Sequence, residues 1–427
     1  MKGNWLIRMW VGVLLVLIPV AAFATNGTNL IGIGPTARSM GGVGIAHPLD
    51  AIQAVFSNPA AMCFGDFCPS NEVEIAGTVF MPTVRSQISN PFGVYSGKSE
   101  GRAYPIPATG ISFAFPELPK WRFGLGAYGI SGLGVNYKST QLEQNFPTPF
   151  GGLPVAGGTF TDYMLMKFAP SASYQVNDWL SVGAALNIGY STLDLQQGNG
   201  AGYGIGGQFG IIVKPHQQVS IGLTYITPQA IKYRNVFHFE AFSPTSWGNL
   251  TLESPTTLGL GIAYEPIYRK LLLEVNVKWL NWSNAAGYSD FGWHDQIVVG
   301  VGAQYKPIPK LALRAGYNYG NNPLTGHHFN GGTMPPGVPI MTKVQGYNIP
   351  KYYFETFRLV GFPAITEHHL TFGGTYDITD KFSLLFGYVV SFRNTVSSSG
   401  IDILNQPTKI SSALYENAVD FGFTWRF

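Results

Sequence analysis

Charge is scarce in this sequence. Asp, Glu, Lys and Arg make up 11% of its 427 residues, under half the share usual in soluble proteins. The 26 Lys+Arg nearly balance the 23 Asp+Glu, leaving a formal net charge of +3, too small a surplus to draw a nucleic acid. Cysteine is limited to Cys63 and Cys68, and two thiols alone are a poor zinc site, so no metal is expected. No HExxH arrangement occurs, which removes the usual frame of metalloprotease chemistry. Beyond the first two dozen residues no run reaches 18 consecutive apolar residues, the length a spanning helix needs.

Aromatics, by contrast, reach 14%, with 22 Tyr and 29 Phe, beside 53 Gly and 29 Pro. A chain poor in charge, rich in aromatics and without spanning helices suits a β-barrel, the other structure that satisfies its backbone in lipid. The chain alternates accordingly. The last ten residues, AVDFGFTWRF, put Val419, Phe421, Phe423, Trp425 and Phe427 on one face and Asp420, Gly422, Thr424 and Arg426 on the other. LLEVNVKWL (272–280) separates Leu273, Val275, Val277 and Trp279 from Glu274, Asn276 and Lys278. About fourteen such segments recur, near 72–84, 106–116, 121–131, 160–175, 179–193, 201–214, 218–234, 250–265, 270–282, 295–306, 310–320, 367–377, 381–394 and 413–427. Tight connections such as KPIPK (306–310) and DITDK (377–381) alternate with long ones, notably 132–159 and 321–366. Short periplasmic turns opposite long external loops are the barrel pattern. The fold class expected is therefore all-β: a fourteen-stranded antiparallel transmembrane β-barrel over 72–427.

Two segments stand outside that pattern. Residues 1–24 carry Lys2 and Arg8, an apolar stretch from Val11 to Val20, and Ala22-Phe23-Ala24, the form of a secretory signal peptide. Residues 25–71 do not alternate. They hold a Gly-rich stretch and then LDAIQAVFSNPAAM (49–62), where Leu49, Ile52, Val55 and Phe56 share a helical face. Irregular backbone cannot face lipid, so this segment belongs in the lumen or the periplasm, and apolar residues such as Leu30, Ile31, Ile33, Val43 and Ile45 favour burial inside the barrel as a hatch, or plug.

ARSMGGVGIA (37–46), the short helix and SNPAAM (57–62) together resemble the FadL/TodX family of outer-membrane transporters of long-chain fatty acids and other hydrophobic compounds. The strand count and the terminal Phe427 agree with that family along the whole mature chain. The resemblance implies a hatch whose Arg38, Gly42, Ser57, Asn58, Pro59 and Ala60 take part in gating. It implies a third strand bent inward to leave a gap toward the membrane, with the Asn-Pro-Ala stretch nearby. It also implies a C-terminal strand read by the outer-membrane assembly machinery, contact with outer-membrane lipid, and a monomer without cofactor. In the third segment Gly124, Gly126, Gly129 and Gly132 would permit a bend, or are simply small wall residues.

A poorly charged lumen suits a hydrophobic passenger, since burying an acyl chain gains roughly 0.8 kcal/mol per CH₂. The external segments carry apolar side chains among prolines: Phe146, Phe150 and Leu153 in one, Tyr353, Phe354 and Phe357 in the other. These either bind ligand or pack into a lid. A carboxylate head group would want a cation. Strand parity offers Lys278 and Arg314, with Lys167 a further candidate, or else these pair with lumen acids such as Glu274. Cys63 and Cys68 either close a small disulfide loop or remain thiols. His294-Asp295 is the one His-Asp neighbour pair in an external loop and reads as solvated loop, so no enzyme is expected. The function expected is passive uptake of hydrophobic small molecules with lateral exit near the third strand; the alternative is a diffusion porin for polar solutes.

Overall fold

The computed structural model describes residues 25–62, 71–147, 152–196, 198–238, 247–335 and 337–427. Fourteen antiparallel strands close into a barrel: β1 (Glu72–Asn90), β2 (Tyr104–Phe113), β3 (Trp121–Asn136), β4 (Phe160–Asn177), β5 (Leu180–Asp194), β6 (Asn199–His216), β7 (Val219–Ile226), β8 (Thr257–Ile267), β9 (Leu271–Leu280), β10 (Gln296–Ile308), β11 (Leu311–Gly320), β12 (His368–Asp377), β13 (Phe382–Ser391) and β14 (Pro407–Arg426). The circle closes where β14 pairs with β1, from Lys409 opposite Ser89 to Arg426 opposite Glu72. Among the described residues no helix is long and apolar enough to cross a membrane.

The alternation read from the sequence becomes an inside and an outside. On β14, Phe421, Phe423 and Trp425 are exposed outward while Asp420 and Thr424 are buried. On β9, Leu273, Val275 and Val277 face out and Glu274 and Asn276 face in. An apolar outer wall around a polar interior is the reverse of a soluble domain, and it is what lipid requires.

Each of the fourteen expected segments overlaps one barrel strand, with edges that differ by a few residues, and the expected 250–265 begins in a separate strand, Trp247–Ser254, before the barrel strand Thr257–Ile267. β1 and β14 are longer than expected because they continue above the barrel, flanked there by Gly93–Lys98 and Asn394–Ile401. The expected strand 218–234 is broken at Thr227-Pro228. Its continuation Gln229–His238 pairs instead with Trp247–Ser254 as a separate hairpin.

Residues 25–62 lie inside the barrel. They include α1 (Gly34–Ser39) and α2 (Ala51–Ser57), followed by a 3-10 turn at Pro59–Ala61. Asp50 caps α2 by accepting from Gln53 N–H at 2.8 Å, the usual use of Asp before a first helical turn. Inward side chains of the wall fasten the segment. Glu274 accepts from the N–H groups of Gly44 (3.0 Å) and Ala46 (2.9 Å), Glu72 from that of Ala51 (2.7 Å), and Asn318 Nδ2 donates to Gly41 O (2.9 Å). An irregular backbone buried in a lumen has to find its partners there.

Candidate functional site

The hatch motif residues hold the plug to the wall. Arg38 Nε lies 2.9 Å from Asp420 Oδ1 and 3.1 Å from Oδ2, and both side chains are fully buried. Thr78 donates its hydroxyl to the same carboxylate. Gly42 is required by its backbone: φ is +74°, and a Cβ there would stand 2.0 Å from Ile31 O. Asn58 Nδ2 donates to Ile45 O at 2.8 Å and reaches Ile211 O and Leu223 O at 3.3 Å, while its Oδ1 accepts from Ala60 N–H at 3.1 Å. Ser57 is buried, and its carbonyl lies 3.3 Å from Gln208 Nε2.

This corrects one expectation. The Asn58-Pro59-Ala60 stretch is not beside the outer half of β3; it seats against β4, β5 and β6. Glycines on the facing strands make the room: a Cβ on Gly210 would meet Asn58 Oδ1 at 1.9 Å, and one on Gly183 would meet Ala60 N at 2.4 Å. Ser173 and Ser181 donate to Ala60 O at 3.1 and 2.7 Å from the same side.

β3 is bent. Its inner half pairs with β2 from Phe123 opposite Phe113 to Tyr128 opposite Ala108, and there the pairing stops. Toward β4 the register shifts between Gly129 and Ser131, an extra residue of the kind that bends a strand. Past the bend the freed edge finds the hatch: Ser131 pairs with Asn29, Gly132 N–H donates to Thr28 O at 3.1 Å, and Ser131 Oγ donates to the same oxygen at 3.0 Å. The facing half of β2, Tyr104-Pro105-Ile106-Pro107, pairs with β1 alone; its two prolines lack donors for a second ladder. Of the four glycines singled out, Gly129 borders the bend and Gly132 lies beyond it. Gly124 and Gly126 stand in the paired half and accommodate the hatch, where a Cβ would meet Met62 Sδ at 2.3 Å and Val55 Cγ1 at 3.0 Å respectively.

Above the hatch the two external segments meet around a cavity of about 580 Å³. Leu153, Pro154 and Ala156 line it from one segment, and Ile349, Tyr353, Phe354 and Phe357 from the other, with Phe291, Leu195 and Val236 between. Phe146 is buried beside it rather than lining it, 5.5 Å from the Tyr95 ring and 6.5 Å from that of Tyr352. The second segment is pinned by Arg358, whose Nη1 donates to Glu355 Oε1 at 2.8 Å and whose Nε donates to Phe291 O at 2.6 Å. These loops pack together as a lid, and a cavity opens among them. Phe150, Cys63 and Cys68 lie outside the described residues.

Among the described residues the cavity lining carries one carboxylate, Glu143, and no cation. Glu143 accepts from Gln196 Nε2 at 3.0 Å and from the Thr159 hydroxyl. Lys278 and Arg314, expected as ligand contacts, do not line it. Lys278 Nζ donates to the hatch carbonyl of Gly42 at 3.2 Å, and Arg314 is bound to Gln304 (2.8 Å) and Thr375 (2.7 Å). Parity placed both inward correctly, but the hatch and the wall already use them. The His294-Asp295 neighbours form no dyad: Asp295 accepts from Trp279 Nε1 and Ser283 N–H, both at 3.0 Å.

With this geometry in hand, the molecule can be set beside known proteins. No protein-family model matches the sequence, and no curated protein does. Solved structures do. The toluene transporter TodX of Pseudomonas putida matches at 18% identity over 94% of this chain and 100% of its own, with a TM-score of 0.64. A FadL homologue of Pseudomonas aeruginosa matches at 13% identity over 95% and 100%, with a TM-score of 0.66. The toluene transporter TbuX of Ralstonia pickettii matches at 17% identity over 93% and 99%, with a TM-score of 0.62. The fold is that of the FadL/TodX channels. TodX and TbuX are named as toluene transporters and CymD as a monoaromatic hydrocarbon channel, and the matches cover nearly the full length of both chains.

Proposed function

We propose that this protein is an outer-membrane channel for hydrophobic small molecules and favours uncharged ones. The loop cavity carries the reading: aromatic and aliphatic side chains line it, and among the described residues it has one carboxylate, Glu143, and no cation. A solute entering it sheds water from apolar surface, which drives capture without an energy source. A free carboxylate would meet Glu143 and no counter-charge, and burying an unpaired charge is costly. Below the cavity the hatch closes the direct axial path. The bent β3, whose outer half pairs with the hatch and not with β2, supports an exit sideways into the bilayer when the hatch shifts. Residues 1–24 act in this reading as the export signal.

A long-chain fatty acid is the second reading, favoured by Lys167. It is buried on the inner face of β4, level with Tyr128, and its ammonium has no hydrogen bond among the described residues. Binding of octylbenzene and of laurate to the protein in lipid nanodiscs separates the two. The expected result is measurable octylbenzene binding, weakened roughly tenfold by Phe354→Ala through lost apolar contact, with laurate weaker. Laurate binding the more tightly, and losing that advantage in Lys167→Met, would establish the second reading. Failure of both ligands to bind, together with large single-channel conductance, would establish a diffusion porin.

A further inference from the structure

The wall has a second interruption that the proposed path does not use. β6 pairs with β5 along its length, from Asn199 opposite Asp194 to Val213 opposite Leu180. On its other side it pairs with β7 only from Gln208 to His216. From Asn199 to Gly206 that second edge has no ladder partner among the described residues. Exposure says the same independently. Tyr203 and Ile205 are 74% and 71% exposed, whereas no other exposed large hydrophobic side chain among the described residues passes 58%. A wall residue reaches such values when the strand beside it is missing.

The missing strand has folded inward. After Thr227-Pro228 the hairpin of Gln229–His238 and Trp247–Ser254 crosses the inner face of β6. Alternate glycines allow the approach: a Cβ on Gly202 would stand 2.7 Å from Ile231 Cγ2 and 2.8 Å from Lys232 O, and one on Gly204 2.8 Å from Ala230 O. Few bonds hold the seam among the described residues. Thr227 N–H donates to Gly207 O at 2.9 Å and Gly207 N–H to Thr227 Oγ1 at 2.8 Å. Gln229 Nε2 reaches Gly204 O at 2.8 Å and Asn187 O at 3.0 Å, and Tyr233 OH donates to Ser191 Oγ at 2.6 Å. Behind the seam Ile231, Tyr233 and Val236 are buried, and Val236 together with Leu195 also lines the loop cavity. Val236 thus stands between the seam and the cavity.

We propose that this seam is a lateral inlet. Hydrophobic small molecules dissolved in the outer leaflet pass between the free edge of β6 and the inward hairpin, and reach the loop cavity without crossing water. The proposal rests on the transport reading above and adds a second source for the ligand. The level suits it. Ile205 stands about a dozen residues beyond the tight turn at 217–218, roughly 30 Å up a strand tilted by about 40°. That is near the outer interface of an apolar band about 25 Å tall. Hydrophobic solutes concentrate in a leaflet rather than in water, so an inlet there draws on the larger pool. Among the described residues, opening it parts apolar contacts, a few side-chain bonds and the Thr227 N–H bond to Gly207 O, but no backbone ladder.

A disulfide tests this. A Cβ on Gly206 would lie 3.5 Å from Gln229 Cβ, within the range a disulfide bridges. Gly206→Cys/Gln229→Cys therefore locks the base of the hairpin to β6. Uptake of octylbenzene is followed into vesicles with a lipopolysaccharide outer leaflet, delivered either in that leaflet or from buffer on cyclodextrin. The unsubstituted protein with and without reductant controls for Cys63 and Cys68. The expected result is a tenfold or greater loss of leaflet-delivered uptake in the oxidised variant, restored by reductant, with buffer-delivered uptake changed less than twofold. Equal loss by both routes, or loss by neither, overturns the inlet while leaving the transport reading intact. Absence of uptake by the unsubstituted protein from either source overturns the transport reading, and the inlet with it.

Discussion

The two interruptions of this barrel leave the same problem, a strand edge without its neighbour, and resolve it differently. The outer half of β3 turns inward and pairs with Thr28 and Asn29 of the hatch. The outer half of β6 stays in the wall, and it is the neighbouring hairpin that turns inward. The first edge is therefore tied to the position of the hatch, the second to the loops above the barrel. A shift of the plug should loosen β3 and leave β6 alone. Disturbance of the hairpin should do the reverse.

The strongest way to break this contrast is to unfasten the hatch. Asp420→Ala leaves the Arg38 guanidinium buried with no counter-charge; its Nη1 and Nη2 already lack partners. Removing one member of a buried pair costs about 3–5 kcal/mol. The expected outcome is faster amide exchange at Ser131 and Gly132 and unchanged exchange across 199–206. Equal acceleration at both edges would show that the two are not independent.

A milder lever is pH. His47 lies in the hatch, where burial, and then the charges of Lys214 and Lys306, lower its pKa from 6.5 to about 3. The folded state thus holds a neutral imidazole that the unfolded chain would protonate. Hatch stability is complete above about pH 6.5 and falls as the pH drops toward 3, by about 2 kcal/mol at pH 5. Trp282 and Trp293 pack on Gly27 of the hatch, so the urea midpoint of their fluorescence change should fall between pH 7 and pH 5, and His47→Gln should reduce that fall. A midpoint independent of pH in the unsubstituted protein would place the imidazole in water.

What the sequence could disclose follows from what periodicity measures. Period-two alternation separates inside from outside, so the strand count and the inward direction of Lys278, Arg314 and Glu274 were legible. Alternation carries no information on height along the barrel, so it could not tell that Lys278 is used by Gly42 O, or that Arg314 stays within the wall's own bonds. The seat of Asn58-Pro59-Ala60 depended on Gly183 and Gly210, more than a hundred residues away in the chain, and no local pattern links them. Two further signals lie in the sequence itself. Pro105 and Pro107 remove donors from the half of β2 that faces the bend. The run GNGAGYGIGG (198–207) reads as ordinary small wall residues, yet its alternate glycines are the bed on which the hairpin lies.

That run gives the finest test of the contrast, because glycines at the two edges face different surroundings. A Cβ on Gly132 would meet Tyr163 O alone, at 3.2 Å, while one on Gly202 would press on both the Ile231 side chain and the Lys232 carbonyl. Side chains can move aside more readily than backbone, so the second contact decides the outcome. Gly132→Ala is expected to change stability by less than about 0.5 kcal/mol, the lost chain freedom offsetting a slight crowding. Gly202→Ala is expected to cost about 1 kcal/mol, the low end for overpacking, and to lift the hairpin from β6. The measurable consequence is faster amide exchange across 229–236 with no change at Ser131. Protection of 229–236 that matches the unsubstituted protein would mean the glycine stripe does not set how closely the hairpin lies, and the distinction between the two edges would then rest on the hatch bonds of β3 alone.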